Sequence, residues 1–391
     1  MSRPFTLFAM ATALVLFASS GCRRASPAPD EDSTKPPPAP SRLSQALEIE
    51  AEYSTASLSN DPDDPAVWVH PTDPSRSLIL GTMKVAAPAG AVVAFGMDGQ
   101  IRQVISGIDR PNNIDVEYGL RLGAKRFDIA VVTERLARQL RIFRIEPTDG
   151  RLVDIGAVPV LQGQPGEAGA PMGIALYRRP RDGATFAIVA PKEGPRQGYL
   201  WQYRLADAGA GRVGATLVRR LGNFSATSIR DENEIEAVAV DDALGYLYYS
   251  DEADGIHKWH ADPDHADAAR ELAHFARTGF RGDREGIAIY ALPDGTGYIV
   301  VTDQIDEDSE YHLYPREGAA GNPHDHSREI AVLRGGADAT DGIEISSRPL
   351  GPGLPSGMLV AMNSGPRNFL VFRWQDIAAA VKPELRLADR R

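Results

Sequence analysis

Three acids, Asp61, Asp63 and Asp64, stand directly ahead of the apolar run Ala66-Val67-Trp68-Val69. Pro62 and Pro65 bracket the start of that run, and because proline fixes φ the carboxylates sit in a stiff turn. A stiff, oxygen-rich turn at a strand end suits a hard cation such as calcium, and it equally suits an Asx-turn that only begins a strand. Similar charged groups recur far down the chain. They are Lys84 in TMK, Asn113 and Asp115 in RPNNIDVEYG, Arg135 in TERLAR, and Lys192 and Glu193 in PKEG. Beyond these come Glu236 in DENEIEAVAVDD, Glu252 in SDE, Asp283 and Glu285 in GDREGIAIY, and Asp341 in ATDGIEI. Carboxylates gathered from several strand ends would supply the oxygen ligands that calcium prefers. Lys84, Arg135 and Lys192 form a basic counter-set suited to phosphate, with arginine able to bind two oxygens at once.

Glu236, Glu285 and Asp341 stand out on physical grounds, because each is embedded in or abuts an apolar run. A carboxylate buried there is costly unless it is paired or bound to metal. Glu232 and Glu234 read as a solvated face, Asp241-Asp242 as a hairpin turn, and Asp61 as part of the turn. His257, His260 and His265, and the pair His324 and His326, have no second spaced ligand group and read as strand or loop positions rather than a transition-metal site. The chain carries no phosphate-binding Gly-rich loop ending in Lys-Ser or Lys-Thr, no Gly-x-Ser-x-Gly elbow and no His-Glu-x-x-His. A covalent Ser, Cys or His mechanism has no visible nucleophile.

These residues need elements to position them. From about residue 50 the chain is a series of short runs with β-branched and aromatic enrichment, among them 91–100, 127–132, 140–145, 186–190, 200–205, 246–251 and 297–303. Hairpin turns are expected at Asp98-Gly99, Asp149-Gly150, Asp254-Gly255 and Asp294-Gly295. Helix is scarce, with Gln375 to Val381 the best candidate. An aromatic-bearing strand followed by a polar turn recurs around Phe95, Phe143, Tyr203 and Trp259. That period of roughly 40–60 residues fits four-stranded blades and predicts an all-β, six-bladed β-propeller, with a β-sandwich pair or an irregular all-β domain as the alternative. In a propeller, strand-end loops from every blade meet around one axis, so distant acids can share one site.

The 391 residues carry 53 acids against 42 bases, a formal net charge of −11, which argues against a nucleic-acid partner. Residues 1–22 read as an export signal: Arg3, an apolar core from Phe5 to Phe17, then Ser19-Ser20-Gly21-Cys22. Cys22 is the only cysteine and is similar to the lipidation site of a bacterial lipoprotein. Ser19 stands where that pattern usually has leucine, so simple cleavage and release stays open. Residues 23–45, rich in Pro, Ser, Ala and charge, read as a disordered tether, leaving 46–391 as the folded domain. The expected location is the outer membrane or periplasm as a lipoprotein, or the medium as a secreted protein, and a monomer is expected.

The runs DDPAVWVHP, NNIDV, PKEG, IEAVAVDD, SDE, REGIAIY and TDGIEI, in this order over nearly all of residues 55–375, resemble the β-propeller phytases. The resemblance implies a calcium-dependent enzyme that hydrolyses phytate, myo-inositol hexakisphosphate, with calcium ions in and around a top-face cleft. It implies metal ligands at Asp63 or Asp64, Glu236, Glu252, Asp283, Glu285 and Asp341. It further implies phosphate-binding bases at Lys84, Arg135 and Lys192, with Asn113, Asp115 and Glu193 close to substrate or metal, and attack by a metal-held water. Calcium would convert an acidic, phytate-repelling cleft into an attractive one. Three positions depart from the family pattern: Met172 where a tyrosine is frequent, Val85 for a second lysine, and Glu117 where a base is common. A calcium-dependent lactonase-type propeller and a non-enzymatic, lipid-tethered binding propeller are the alternatives.

Overall fold

Runs such as AVVAF (91–95) and FAIVA (186–190) are apolar at every position, so a strand built from them must be covered on both faces. The arrangement that does this is a ring of sheets packed face to face. The structure, a computed structural model, describes residues 46–224 and 234–388. Among these residues six antiparallel sheets stand in a ring as a six-bladed β-propeller. Six buried apolar clusters fill the six gaps between neighbouring blades. The period-2 rule distributes each strand between two of them. Along the first inner strand, Ala66 and Trp68 face the second blade, while Val67 and Val69 face the last.

The inner strands of the six blades are Pro62–Trp68, Pro111–Leu122, Pro171–Arg178, Val238–Asp241, Asp283–Ala291 and Ile343–Ser346. The ring closes by exchange of its ends. The N-terminal strand Tyr53–Ser54 pairs with Asn368–Arg373 and completes the last blade, whose other strands come from the C-terminal part of the chain. A second N-terminal strand, Leu47–Glu48, adds in parallel to the outer edge of the fifth blade. The aromatic repeat falls on the third strand of every blade; Tyr314 and Phe372 extend it to blades five and six. All four expected hairpin turns connect neighbouring strands. The expected C-terminal helix is Trp374–Ala380, with Trp374 stacked on Tyr290 at 4.0 Å. The leader, Cys22 and the tether lie outside the described residues.

Blades four and five are also joined by charge: Arg316 holds Asp241 through two bonds of 2.6 Å, both groups buried. Asp241-Asp242 does begin a turn, but its first member is the anchor of an inter-blade ion pair.

Near the axis the inner strands approach so closely that side chains do not fit at some positions. A Cβ on Gly173 would lie 1.9 Å from the carbonyl oxygen of Glu236, and one on Gly342 would lie 2.2 Å from Oδ1 of Asp64. Gly173→Ala should therefore push the strand start bearing Glu236 outward and cost about 1–3 kcal/mol. Gly353→Ala, where a Cβ meets nothing within 4 Å, is the control. Urea midpoints check this: equal midpoints for the two variants would refute the close approach.

Candidate active site

Each inner strand begins with a pair of residues outside the regular ladder. In four blades the pairing register skips two residues: 63–64, 112–113, 172–173 and 285–286. In the other two, Glu236-Ala237 and Asp341-Gly342 immediately precede the strand. Such bulges re-aim side chains. The first member of each pair faces the axis region, giving an inner ring of Asp63, Asn112, Met172, Glu236, Glu285 and Asp341. A second ring follows from the same register. The neighbouring strand of each blade runs back to this face and ends, at equivalent positions, at Lys84, Arg135, Lys192, Glu252, Gln304 and Ser364. Blades one to three thus supply three bases, and blades four to six supply most of the acid.

The rings interlock. Lys84 pairs with Asp63 and, at 3.0 Å, with Asp341. Asn112 donates to Asp63 at 3.0 Å and to Glu236 at 2.5 Å. Arg135 reaches Asn112 at 3.4 Å and Glu167 at 3.4 Å. Lys192 pairs with Glu234, and Gln304 donates to Asp341. Oxygens of Glu234, Glu236 and Glu252 lie within 4.8 Å of one another, and the buried Oε1 of Glu252 has no hydrogen-bond partner among the described residues.

Burial works against charge throughout. It pushes the carboxyls of Glu236, Glu252, Glu285 and Asp341 above the ordinary range, and repulsion from neighbouring acids adds to the shift. Burial also disfavours the Lys84 ammonium, but Asp63, Glu236 and Asp341 overcome it and hold its pKa well above the usual value. Lys84, Arg135 and Lys192 all pull the Glu236 pKa down against the effect of burial.

Several expected positions move. Asp63 and Asp64 diverge: Asp63 joins the ring, whereas Asp64 turns down the axis and accepts from the Ile114 N–H at 2.9 Å. Asp115 is a clasp between blades, its two oxygens accepting from the N–H groups of Val116 and Leu176 at 2.6 Å. It is not at the cleft, and neither is Glu117, which bonds the Tyr118 N–H. Asn113 bonds Thr133 through its backbone and receives Asn112 at 3.3 Å, so its neighbour makes the direct contacts with the acids. Glu193 is exposed at the rim, and Asp283 begins the fifth inner strand beside Glu252. Glu234 is buried against Lys192 rather than on a solvated face, and Glu232 lies outside the described residues. Asn112 and Gln304 were not legible as separate motifs. The signal that finds them is positional: a dipeptide ahead of each inner apolar run, and the residue closing each second strand.

Below the rings runs an axial cavity of about 380 Å³, lined by Asp64, Asp115 and Glu344 among others. Enclosure raises the Asp115 carboxyl to about 7, and enclosure with Asp115 as neighbour raises Glu344 to about 8. The folded chain therefore holds protons that the unfolded chain has released, and stability falls as pH rises from the ordinary carboxylate range through about 8. In metal-free protein, Glu344→Gln should raise Tm at pH about 8 and leave it unchanged at pH about 4, where both states are protonated. A thermal melt series at both pH values measures this; equal effects at the two would contradict it.

The phytase family model matches residues 10–390. The 3-phytase of Bacillus subtilis (strain 168) is 28% identical over 329 residues, covering 81% of this chain and 80% of that protein. Among solved structures, a protein of Bacteroides fragilis NCTC 9343 assigned as a 6-phosphogluconolactonase overlays with a TM-score of 0.50 at 13% identity. That overlay covers 83% of this chain and 84% of the other, and it bears on the fold alone. With the family match spanning both rings, the chain belongs to the phytase family and is a phosphomonoester hydrolase.

Proposed function

We propose that the protein is a calcium-dependent phytase that hydrolyses phosphomonoesters of phytate, releasing inorganic phosphate and lower inositol phosphates. The observation that carries this reading is that three bases from separate blades meet one carboxylate ring: Lys84 pairs with Asp63 and Asp341, Arg135 reaches the Asn112 that bridges Asp63 and Glu236, and Lys192 pairs with the Glu234 beside Glu236. The relationship to the Bacillus subtilis 3-phytase supports phytate as substrate.

The donor set fits calcium: Asp63, Glu234, Glu236, Glu252, Asp283, Glu285 and Asp341 offer only oxygens, and Oε1 of Glu252 has no hydrogen-bond partner among the described residues. Calcium, when bound, would supply positive charge for the phosphate oxygens and for activating water. Lys84 now neutralises Asp63 and Asp341. Once those carboxylates are otherwise neutralised, its ammonium is free to bind phosphate. Arg135 and Lys192, on the same half of the outer ring, would then spread stabilisation over the charge developing on phosphorus-bound oxygens. Asn112 keeps Asp63 and Glu236 in register. With the three bases on blades one to three and most of the acid on blades four to six, an anionic substrate would be oriented toward blades one to three. Export through the leader is part of the same proposal, and the mass of the mature N-terminus decides between anchoring at Cys22 and release.

Chelation should abolish phosphate release from phytate and lower Tm together, with both restored by calcium; undiminished release in excess chelator would sink the mechanism. Lys84→Met and Lys192→Met should each lower kcat/KM for phytate by about 10²–10³-fold. They should leave calcium-dependent stabilisation in place. Loss of less than a factor of about three in both would remove the bases from the reaction.

A further inference from the structure

Three blades share a pattern outside the rings: an acid ending the second strand, a base within the third, and an acid further along the chain on the outer side. In blade two it is Glu134, Arg141 and Asp154, with Arg141 at 3.7 and 2.5 Å from the two acids. In blade five it is Asp303, His312 and Glu329, at 3.9 and 2.6 Å. In blade four it is Asp251, His257 and Glu271, at 3.8 and 3.2 Å. Arginine brings a permanent charge to such a position, whereas histidine brings one only by protonation or by ligating a metal. His312 makes one hydrogen bond, between Nδ1 and Glu329, and its Nε2 has none among the described residues.

Blade four is different. His257 is 3% exposed, yet neither of its ring nitrogens has a hydrogen-bond partner among the described residues. A second histidine, His274 on the outer strand Ala273–Phe275, stacks on it at 4.0 Å, and its Nε2 is also without a hydrogen bond. One ligand atom each from His257, Glu271 and His274 lie within 4.8 Å of one another. Nδ1 of His257 sits 3.2 Å from Oε2 of Glu271 without hydrogen-bond geometry. A tetrahedral zinc with bonds of about 2.0–2.1 Å separates its ligand atoms by about 3.3 Å. The spacing is that of a coordination edge.

We infer that blade four carries a transition-metal site, separate from the calcium rings, in which His257, Glu271 and His274 bind a borderline divalent cation such as zinc. Two imidazoles and a carboxylate select zinc over calcium, which takes oxygen ligands in larger number. Asn223, at the end of the preceding blade's outer strand, donates to Glu271 Oε2 at 2.9 Å and orients the carboxylate. Asp254, 3.7 Å from His274 Nε2, is within reach as a fourth ligand. The side chains of His274 and Glu271 are 21% and 25% exposed, so the ion has access from solvent and the His274 ring has room to turn its lone pair out of the stack. An ion there would tie blade three's outer edge to blade four.

The test is a zinc titration of the full chain in saturating calcium, followed by calorimetry and repeated with cobalt for its visible tetrahedral bands. One equivalent of zinc per chain is expected, weakened at least about 100-fold in His274→Gln and in Glu271→Gln. Phosphate release in saturating calcium should be unchanged in both variants. Absence of a stoichiometric zinc site in the unmodified protein would overturn the inference, as would zinc affinity unaltered in both variants. Should one variant fail to fold, the other and the unmodified titration decide.

Discussion

Mutual repulsion among carboxylates held at the axis is the constraint on which the rest of this structure depends. Asp63, Glu236, Glu285 and Asp341 come from four different blades, and burial raises the cost of charge on Glu236, Glu285 and Asp341. Nothing local would keep them together. They are held because six apolar interfaces fix the blades around the axis, and because Lys84 and Asn112 bridge between them. The packing of the whole ring thus offsets the electrostatic cost of the site.

The propeller resolves this tension through register. A two-residue bulge at the start of an inner strand frees a side chain from the ladder and points it at the axis face. The return strand brings a second side chain alongside, three residues beyond the partner of the first inner-strand residue after that pair. Four blades use the bulge and two place the same pair just ahead of the strand, and together the six build two concentric rings. Variation among blades then breaks the symmetry: bases on blades one to three, acids and an amide on blades four and five. Met172 is the one apolar member of the inner ring, consistent with its departure from the family pattern.

Much of this was legible in the chain. The aromatic period marked the third strand of each blade, and doubly apolar runs required sheets covered on both faces. Acids abutting apolar runs, at Glu236, Glu285 and Asp341, flagged the ring because an unpaired buried carboxylate is costly. Asp64 and Asp115 lie off the inner ring for a common reason. Each sits one or three residues from a ring member, and a bulge decides which neighbour faces the cleft and which faces the channel. Glu234 looked solvated because its partner, Lys192, lies 42 residues away in another blade.

By itself the sequence determined the strand content, the repeat and the residue types available for metal and phosphate, since these depend on local pattern and composition. Tertiary structure decided which side chains meet. Inter-blade register set the partners of Lys84, and the outer strand of blade four brought His274 and Glu271 to His257, a residue with no ligand-spaced neighbour along the chain. Local periodicity specifies which face a residue occupies; only closure of the ring specifies what lies across from it.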